Sequence, residues 1–316
     1  MKLMKFFVVL FVFLGLLSSC SSDDDGGGNA VELRDPEEVK IENQAEIEAF
    51  LETHFFEFVD NPQNQNFQKF TFDTIAGENS DKTPIMESDL LASKQVIQQD
   101  VEYTLYYLIQ REGNPQERKP TFADSTLVTF EGITIDNETF DFNPNPVWFD
   151  LPQTVRGFYE LLPELRGSSG FVENGDGTVT FNDDFGIGVV FVPSGLGFFA
   201  TPPIGSSIKR YQPIIFAVQL YKSKEADHDQ DGIPSFMEDM NGNRRVDDIA
   251  EGDDTGDDTD RDGLPNYLDR DDDNDSVLTI DEIIINEEDG SIEFPDSNGN
   301  GTPDYLDDTF PEDDNS

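Results

Sequence analysis

Acidic side chains recur at a fixed spacing in the last third of the chain, and this spacing restricts how that part can fold. In DTDRDGLPNYLD, residues 258–269, carboxylates stand at positions 1, 3, 5 and 12 and glycine stands at position 6. Carboxylates this close repel one another unless a cation lies among them. Alternate positions of a curving loop present oxygen atoms to one centre, and glycine at position 6 permits the sharp turn of a calcium loop. The spacing therefore predicts a bound calcium ion.

The same register occurs four times between residues 227 and 307, which makes a chance match a poor explanation. Glycine stands at position 6 in three of the loops, and Ser276 replaces it in the other. A weaker copy begins at Asp239, with Arg244 at the turn. The predicted calcium ligands are Asp227, Asp229, Asp231, Glu238, Asp258, Asp260, Asp262, Asp269, Asp271, Asp273, Asp275, Glu282, Asp296, Asn298, Asn300 and Asp307.

Proline at position 8 distinguishes these loops from helix–loop–helix calcium sites. Pro234, Pro265 and Pro303 occupy that position. The loops resemble thrombospondin type 3 repeats, in which calcium ions take the place of a hydrophobic core. Residues 225–316 carry 33 acidic and four basic side chains, a net charge of −29, which attracts cations and repels nucleic acid. We therefore interpret residues 224–316 as an acidic calcium-binding tail; the alternative is a disordered acidic tail.

The first twenty residues indicate an exported, lipid-anchored protein. Lys2 and Lys5 precede an apolar run at 6–17, which is shorter than the ~20 residues of a membrane-spanning helix and is typical of a signal peptide. Cys20, the only cysteine, ends the sequence LSSC, which resembles a bacterial lipobox. The resemblance implies that residues 1–19 are a signal peptide and that Cys20 carries a lipid. The alternative is an ordinary signal peptide with a chance cysteine.

An acidic, glycine-rich segment follows the cysteine. Its sequence, SSDDDGGG, resembles the export signals of surface lipoproteins in the Bacteroidetes. The composition is typical of a flexible linker, which we assign to residues 20–42. We expect an outer membrane lipoprotein that faces either the periplasm or the cell surface.

Residues 43–99 are predicted to form a helical and loop-rich extension. Asn43 and Glu46 have the spacing of a capping box, and apolar residues follow at helical spacing. Asn61-Pro62 is expected to end this helix. A polar, loop-rich segment is expected from Gln63 to about Asp89.

Residues 100–223 consist mostly of strand-like runs, with one short helical candidate at 157–162. The strand-like runs are 101–109, 127–130, 147–151, 188–192 and 214–220. This pattern predicts an α+β fold in which an antiparallel β-sheet wraps around a short helix. The sequence NGDG at 174–177 predicts a hairpin turn.

Four segments of this region resemble, in family order, the FKBP-type peptidyl-prolyl cis–trans isomerases. They are VTFEGITIDNETFD (128–141), VRGFYELLPEL (155–165), VFVPSGLGFF (190–199) and IIFAVQL (214–220). The resemblance spans about two fifths of the chain. It implies an FKBP-like fold and isomerisation of X-Pro segments of exported proteins. The alternative is a chaperone or adhesion module that binds proline-containing segments without turnover, carried on a calcium-binding stalk.

The resemblance also implies a set of site residues and no catalytic cofactor. Phe158 stands where the family has its floor tryptophan, and Asp141 is the acidic group of the pocket. Phe130 and Phe198 stand where the family has tyrosine, so the hydroxyl group that orients the bound carbonyl is missing. The implied catalytic residues are Phe140, Asp141, Val155, Phe158, Phe198, Ile208 and Phe216. Any one of these aromatic side chains, taken alone, is also explained as part of the core.

Overall fold

Antiparallel β-strands dominate the structure, a computed structural model that describes residues 33–60, 68–249 and 256–310. The elements in chain order are α1 (Pro36–Thr53), β1 (His54–Asp60), β2 (Gln68–Thr74), β3 (Leu91–Gln98), β4 (Val101–Arg111), β5 (Ser125–Thr134), β6 (Thr139–Asp150), α2 (Arg156–Leu161), β7 (Phe171–Glu173), β8 (Val179–Phe181), β9 (Gly186–Val192), β10 (Ile214–Lys224), α3 (Thr279–Glu282), β11 (Ile284–Ile285) and β12 (Ile292–Glu293). Short 3₁₀ helices occupy Gly77–Asn79, Ile85–Glu87, Leu151–Gln153, Leu162–Glu164, Ser194–Leu196, Ser235–Glu238, Asn266–Leu268 and Asp304–Leu306. From Arg34 onward the described residues belong to one compact unit.

Six strands form the central sheet in the order β3-β4-β9-β10-β5-β6, and neighbouring strands are antiparallel. Successive side chains of β9 point to opposite faces of the sheet. Val190 and Val192 join the apolar cluster that contains α2, whereas Val189 and Phe191 join the cluster that contains α1 and the β1–β2 hairpin. Both faces are therefore covered, which explains why β9 is apolar along its whole length.

Most of the predicted elements of residues 100–223 are confirmed. The strand runs that begin at residues 101, 127, 188 and 214 lie within β4, β5, β9 and β10, and the short helix is α2 with the 3₁₀ turn that follows it. The NGDG hairpin is also confirmed, since β7 and β8 pair on either side of it. The mixed α and β fold, dominated by antiparallel sheet, agrees with the predicted class.

The predicted start of the first helix is wrong. Helix α1 begins at Pro36 after the N-cap residue Asp35, so the linker does not extend to residue 42. Asn43 lies within the helix and is 2% exposed. Its side chain accepts a hydrogen bond from the Ser194 N–H at 2.7 Å and donates one to the Tyr211 carbonyl at 2.9 Å. Asn43 therefore fixes α1 to the loop between β9 and β10 instead of capping a helix.

Other boundaries also differ from the prediction. Helix α1 ends at Thr53, and His54–Asp60 is a strand that pairs with β2 inside the segment expected to be loop. Strand β6 begins at Thr139 and continues through Pro144 and Pro146. It lies at the edge of the sheet, and both prolines fall where its register with β5 shifts, between Asn143 and Val147. Edge strands and bulges are the places where a sheet tolerates a residue without an N–H group.

The described part of the acidic tail packs against the sheet domain. An apolar cluster joins the two parts of the chain: Phe122, Ala123, Phe236, Val246 and Tyr267. Arg156 of α2 donates a hydrogen bond to the Asn243 carbonyl at 2.8 Å. The Nε2 atom of His228 lies 2.9 Å from the Asp150 carboxylate at the end of β6. The start of the tail is therefore attached to the helix and the edge strand of the predicted isomerase region.

The predicted signal peptide and Cys20 lie outside the described residues, as does most of the predicted linker. Within the described ranges, no helix combines the length and the apolar character that a membrane span requires.

Candidate functional site

Helix α2 brings Phe158 onto the sheet at the centre of the predicted site. The neighbouring Gly157 makes this close approach possible, because a Cβ atom there would lie 2.3 Å from Cγ1 of Val192 on β9. A larger residue would push the helix away from the sheet. Phe158 is 4% exposed, and its ring lies in the apolar cluster between α2 and the sheet.

Phenylalanine rings surround Phe158 edge to face. Its ring centroid lies 5.2 Å from that of Phe216, 5.6 Å from that of Phe149 and 6.2 Å from that of Phe130. Phe140 in turn lies 5.7 Å from Phe216. Edge-to-face pairs favour defined ring orientations, so these rings form an ordered aromatic cluster, most of which is buried.

The structure gathers six of the seven predicted catalytic residues into this one cluster. Phe158, Ile208 and Phe216 are buried, whereas Phe140, Val155 and Phe198 are half-buried and pack around them. Val147 and Phe149, between which the sequence did not decide, both contact the same cluster. The arrangement is an apolar base of buried rings with partly exposed side chains around it.

Asp141 does not share this environment. Its side chain is exposed, and Oδ1 accepts a hydrogen bond from the Phe142 N–H at 2.8 Å. Asp141 follows Phe140 on β6. Because its side chain is exposed, its carboxylate can accept a hydrogen bond at the surface but is not part of the apolar cluster. Phe130 is 6% exposed and, like Phe198, has no hydroxyl group with which to donate a hydrogen bond.

The opposite side of α2 carries a buried charge network that the sequence analysis missed. The carboxylate of Glu160 is 2% exposed and lies 3.1 Å from Lys94, 3.4 Å from Arg156 and 3.6 Å from Arg244 of the tail. These groups line an open cleft of about 850 Å³ between β3 and the tail. The only local signal was a pair of charges inside the apolar sequence RGFYELL.

The predicted calcium loops adopt one recurring backbone conformation. The residue at position 6 has a positive φ in each of the four loops, near +98° at the glycines and +81° at Ser276. The residue at position 4 also has a positive φ, as at Gln230 and Arg261. The weaker copy shares this conformation, with φ of +63° at Arg244. The first Asp of the loop accepts hydrogen bonds from the backbone at the turn, as Asp258 does from Gly263 at 3.1 Å.

Three loops bring their first three carboxylates together. One oxygen atom from each of the three acids lies within 4.8 Å of the others in the loops that begin at Asp227, Asp258 and Asp271. In the fourth loop, the amide groups of Asn298 and Asn300 each donate a hydrogen bond of 2.7 Å to Asp307. The predicted closing residues Glu238, Asp269 and Glu282 do not join the carboxylate triplets of their own loops.

Many of these carboxylate oxygens are buried without a hydrogen-bond partner. They include Oδ2 of Asp229, Asp260, Asp273 and Asp275, Oδ1 of Asp271 and Oε1 of Glu282. Burial, with a smaller contribution from Asp231, raises the pKa of Asp229 to about 8. Buried acceptors normally have a partner, and oxygen ligands in this number suit a hard divalent cation. The residues present therefore fit calcium.

Comparisons with known proteins match different parts of the chain. A family model described as the BamM C-terminal domain, and not the thrombospondin type 3 repeat, matches residues 228–295. A search of curated proteins found no significant match. Among solved structures, a peptidyl-prolyl cis-trans isomerase from Pseudomonas syringae pv. tomato is similar over 38% of this chain and 76% of its own, at 18% identity and a TM-score of 0.31. FkpA from Escherichia coli is similar over 38% of this chain and 48% of its own, at 21% identity and a TM-score of 0.30.

Proposed function

We propose that residues 100–223 bind X-Pro segments of exported proteins and catalyse their cis–trans isomerisation. The observation that carries the proposal is the convergence, in one cluster, of six apolar residues that were chosen from sequence and are spread from Phe140 to Phe216, with Phe158 among them. An aromatic, apolar surface with few polar groups suits a prolyl ring.

The chemistry needs no nucleophile. Rotation about the X-Pro bond is slow because amide resonance imposes a barrier of ~18–20 kcal/mol, while the cis and trans forms differ by only about 0.5–1 kcal/mol. Water exclusion disfavours the polar planar amide relative to the twisted one. In this proposal Phe158 and Phe216 form the base of the prolyl site, Phe140, Val155, Phe198 and Ile208 surround it, and Asp141 accepts a peptide N–H at its edge.

Exchange spectroscopy on a short X-Pro peptide, with the full chain as catalyst, tests the proposal. Phe140→Ala should lower the exchange rate at least about tenfold, equivalent to 1.4 kcal/mol, because it removes a half-buried ring that contacts Phe216. Trp148→Ala is the matched control: Trp148 lies on the same strand, but its side chain is 50% exposed. Equal rates for the two variants would contradict the proposed site.

A binding module without turnover is the second candidate. The observation that favours it is the absence of hydroxyl groups at Phe130 and Phe198, both in the aromatic cluster. In that case the peptide should shift the fluorescence of the wild-type protein, and this shift should be lost in Phe140→Ala, while exchange between cis and trans peptide is not accelerated.

We also propose that calcium binds the loops between residues 227 and 307 and stabilises the fold of the tail. The support is the recurring loop conformation together with the buried carboxylate oxygens that lack partners. The ion supplies the positive charge that the acidic loops need in order to pack closely. Chelation should expose the tail to protease, whereas calcium in the ~0.1–1 mM range expected for extracellular modules should protect it. An unchanged digestion pattern would exclude this role.

The sequence LSSC and the acidic segment after it support an outer membrane lipoprotein anchored at Cys20. This location gives the isomerase access to exported proteins as substrates.

A further inference from the structure

Three buried carboxylates from two different loops meet at one point in the tail. Asp231 and Glu238 belong to the first calcium loop, and Asp272 stands at position 2 of the third, where the register predicts no ligand. One oxygen atom from each lies within 4.8 Å of the others. All three residues are 1% exposed. The cluster therefore joins two separate segments of the tail. Glu238 and Asp272, the pair nearest in sequence across these segments, are 34 residues apart.

Five of the six oxygens of these three carboxylates have no hydrogen-bond partner among the described residues. They are both carboxylate oxygens of Glu238, both of Asp272, and Oδ2 of Asp231. A buried ionised carboxylate is unfavourable unless it is paired or bound to a metal. Because five acceptor atoms are unpaired at one place, packing alone does not explain the cluster.

Among the described residues, no basic side chain pairs with these carboxylates. The charged groups that act on Glu238 are all carboxylates, and the same holds for Asp272. The sequence contains neither lysine nor arginine after Arg270. Arg244 and Arg245, the basic residues nearest to Glu238 in sequence, pair with Glu160 and Asp247. Arg270 precedes Asp272 by two residues but is not among the groups that act most strongly on Asp272 or Glu238.

An apolar cluster explains why these carboxylates are excluded from water. Ile233 of the first loop, Ile283 after α3 and Tyr305 of the fourth loop pack together. Tyr305 lies close enough to Asp272, Glu238 and Asp231 for their charges to act on it. Gly232 allows this packing, because a Cβ atom there would lie 2.6 Å from Cδ1 of Ile280. The tail therefore folds three loops around a common centre.

We propose that Asp231, Glu238 and Asp272 bind a divalent cation of the calcium type in an interloop site that joins the first loop to the third. A set of carboxylate oxygens without nitrogen or sulfur selects a hard cation. Asp231 also belongs to the triplet of its own loop, so it bridges the interloop ion and the loop ion. Glu238 closes the interloop site instead of the loop in which it stands.

The interloop site goes beyond the four loop sites proposed above, and Asp272→Asn separates them. This substitution keeps the size of the side chain and leaves every loop ligand in place. Asp281→Asn is the matched control, since it removes the same charge from an exposed position in the same part of the tail. The experiment uses the full chain and calcium chloride alone, with stoichiometry from equilibrium dialysis and thermal unfolding followed with and without chelator.

Asp272→Asn should bind one calcium ion fewer than the wild type, or bind it at least about tenfold more weakly, because ligand charge sets affinity in oxygen-ligand sites. The order of the unfolding temperatures of Asp272→Asn and the wild type should also reverse when calcium is added. Without calcium the variant should melt above the wild type, since one of three repelling charges is gone, and with calcium it should melt below it. Asp281→Asn should show neither effect.

Two results would overturn the interloop site. If Asp272→Asn binds as many ions as the wild type with the same affinity, the loop sites stand and the interloop site fails. If the order of unfolding temperatures is the same with and without calcium, Asp272 has a role in packing alone. Absence of calcium binding by the wild type would instead overturn the loop sites as well.

Discussion

Glu160→Gln should weaken the attachment of the tail to helix α2. The carboxylate of Glu160 pairs with all three basic side chains Lys94, Arg156 and Arg244, and Arg244 belongs to the tail. Lys94 also pairs with Glu164. Glutamine fits the same space but carries no charge. The substitution therefore leaves Arg156, whose side chain is 7% exposed, without a counter-charge in a buried position.

The expected destabilisation is about 3 kcal/mol, at the low end of the ~3–5 kcal/mol for breaking a buried ion pair. The low end applies because Arg156 keeps hydrogen bonds to Gln98 and to the Asn243 carbonyl. Lys94 and Arg244 are 23% and 46% exposed, so each of their pairs adds less than about 1 kcal/mol. For a unit of this size, 3 kcal/mol corresponds to a decrease of roughly 6–12 °C in unfolding temperature.

Calorimetry at saturating calcium measures this decrease, and limited proteolysis of the same samples reports release of the tail. Asp136→Asn is the control, because Asp136 pairs with Lys209 at the surface, where the two side chains are 53% and 73% exposed. Its cost should stay below about 1 kcal/mol. Adding Arg156→Gln to Glu160→Gln should recover part of the stability, since the uncompensated buried charge is then removed.

A decrease for Glu160→Gln no larger than that for Asp136→Asn would show that the network is screened by solvent. Failure of Arg156→Gln to recover stability would show that the loss has another cause than the unpaired charge. Either result would refute the attachment of the tail through these charges.

Three further outcomes are expected. Phe198→Tyr should raise the isomerase rate by no more than about tenfold, since one neutral hydrogen bond contributes about 0.5–1.5 kcal/mol; a lower rate would mean that the added hydroxyl is not oriented toward the substrate. Cys20→Ser should move the protein from the membrane fraction to the soluble fraction, and continued sedimentation with membranes would argue against lipid attachment. Burial tends to raise the pKa of Asp184, but hydrogen bonds from Ser169, Asn114 and Ser168 outweigh the effect of burial and lower the pKa to about 2. Its contribution to stability is therefore complete above its ordinary value of 3.8 and is lost as the pH falls toward 2; unfolding temperatures measured from pH 5 to pH 2 should fall less steeply for Asp184→Asn than for the wild type.

Local sequence determined the elements whose geometry depends on a few neighbouring residues. The loop at 258–269 is an example, because the order of its acids and the glycine at position 6 fix both the turn and the direction of the side chains. The strands near residues 101 and 214 were predictable for a similar reason, since alternation along a strand follows from which face each residue occupies. The gathering of Phe140, Phe158 and Phe216 was predicted only through the family resemblance, which supplied the order of segments.

Tertiary structure alone decided the features that depend on which segments meet. Asn43 has the sequence context of a helix cap, but burial against the loop at Ser194 gave it a different set of hydrogen bonds. Asp272 stands outside the loop register, and its role arises because the third loop packs against Glu238 of the first. Glu160 became the centre of a charge network because the tail returns to α2. Contacts across such sequence separations depend on burial and chain packing, and neither is encoded in the spacing of neighbouring residues.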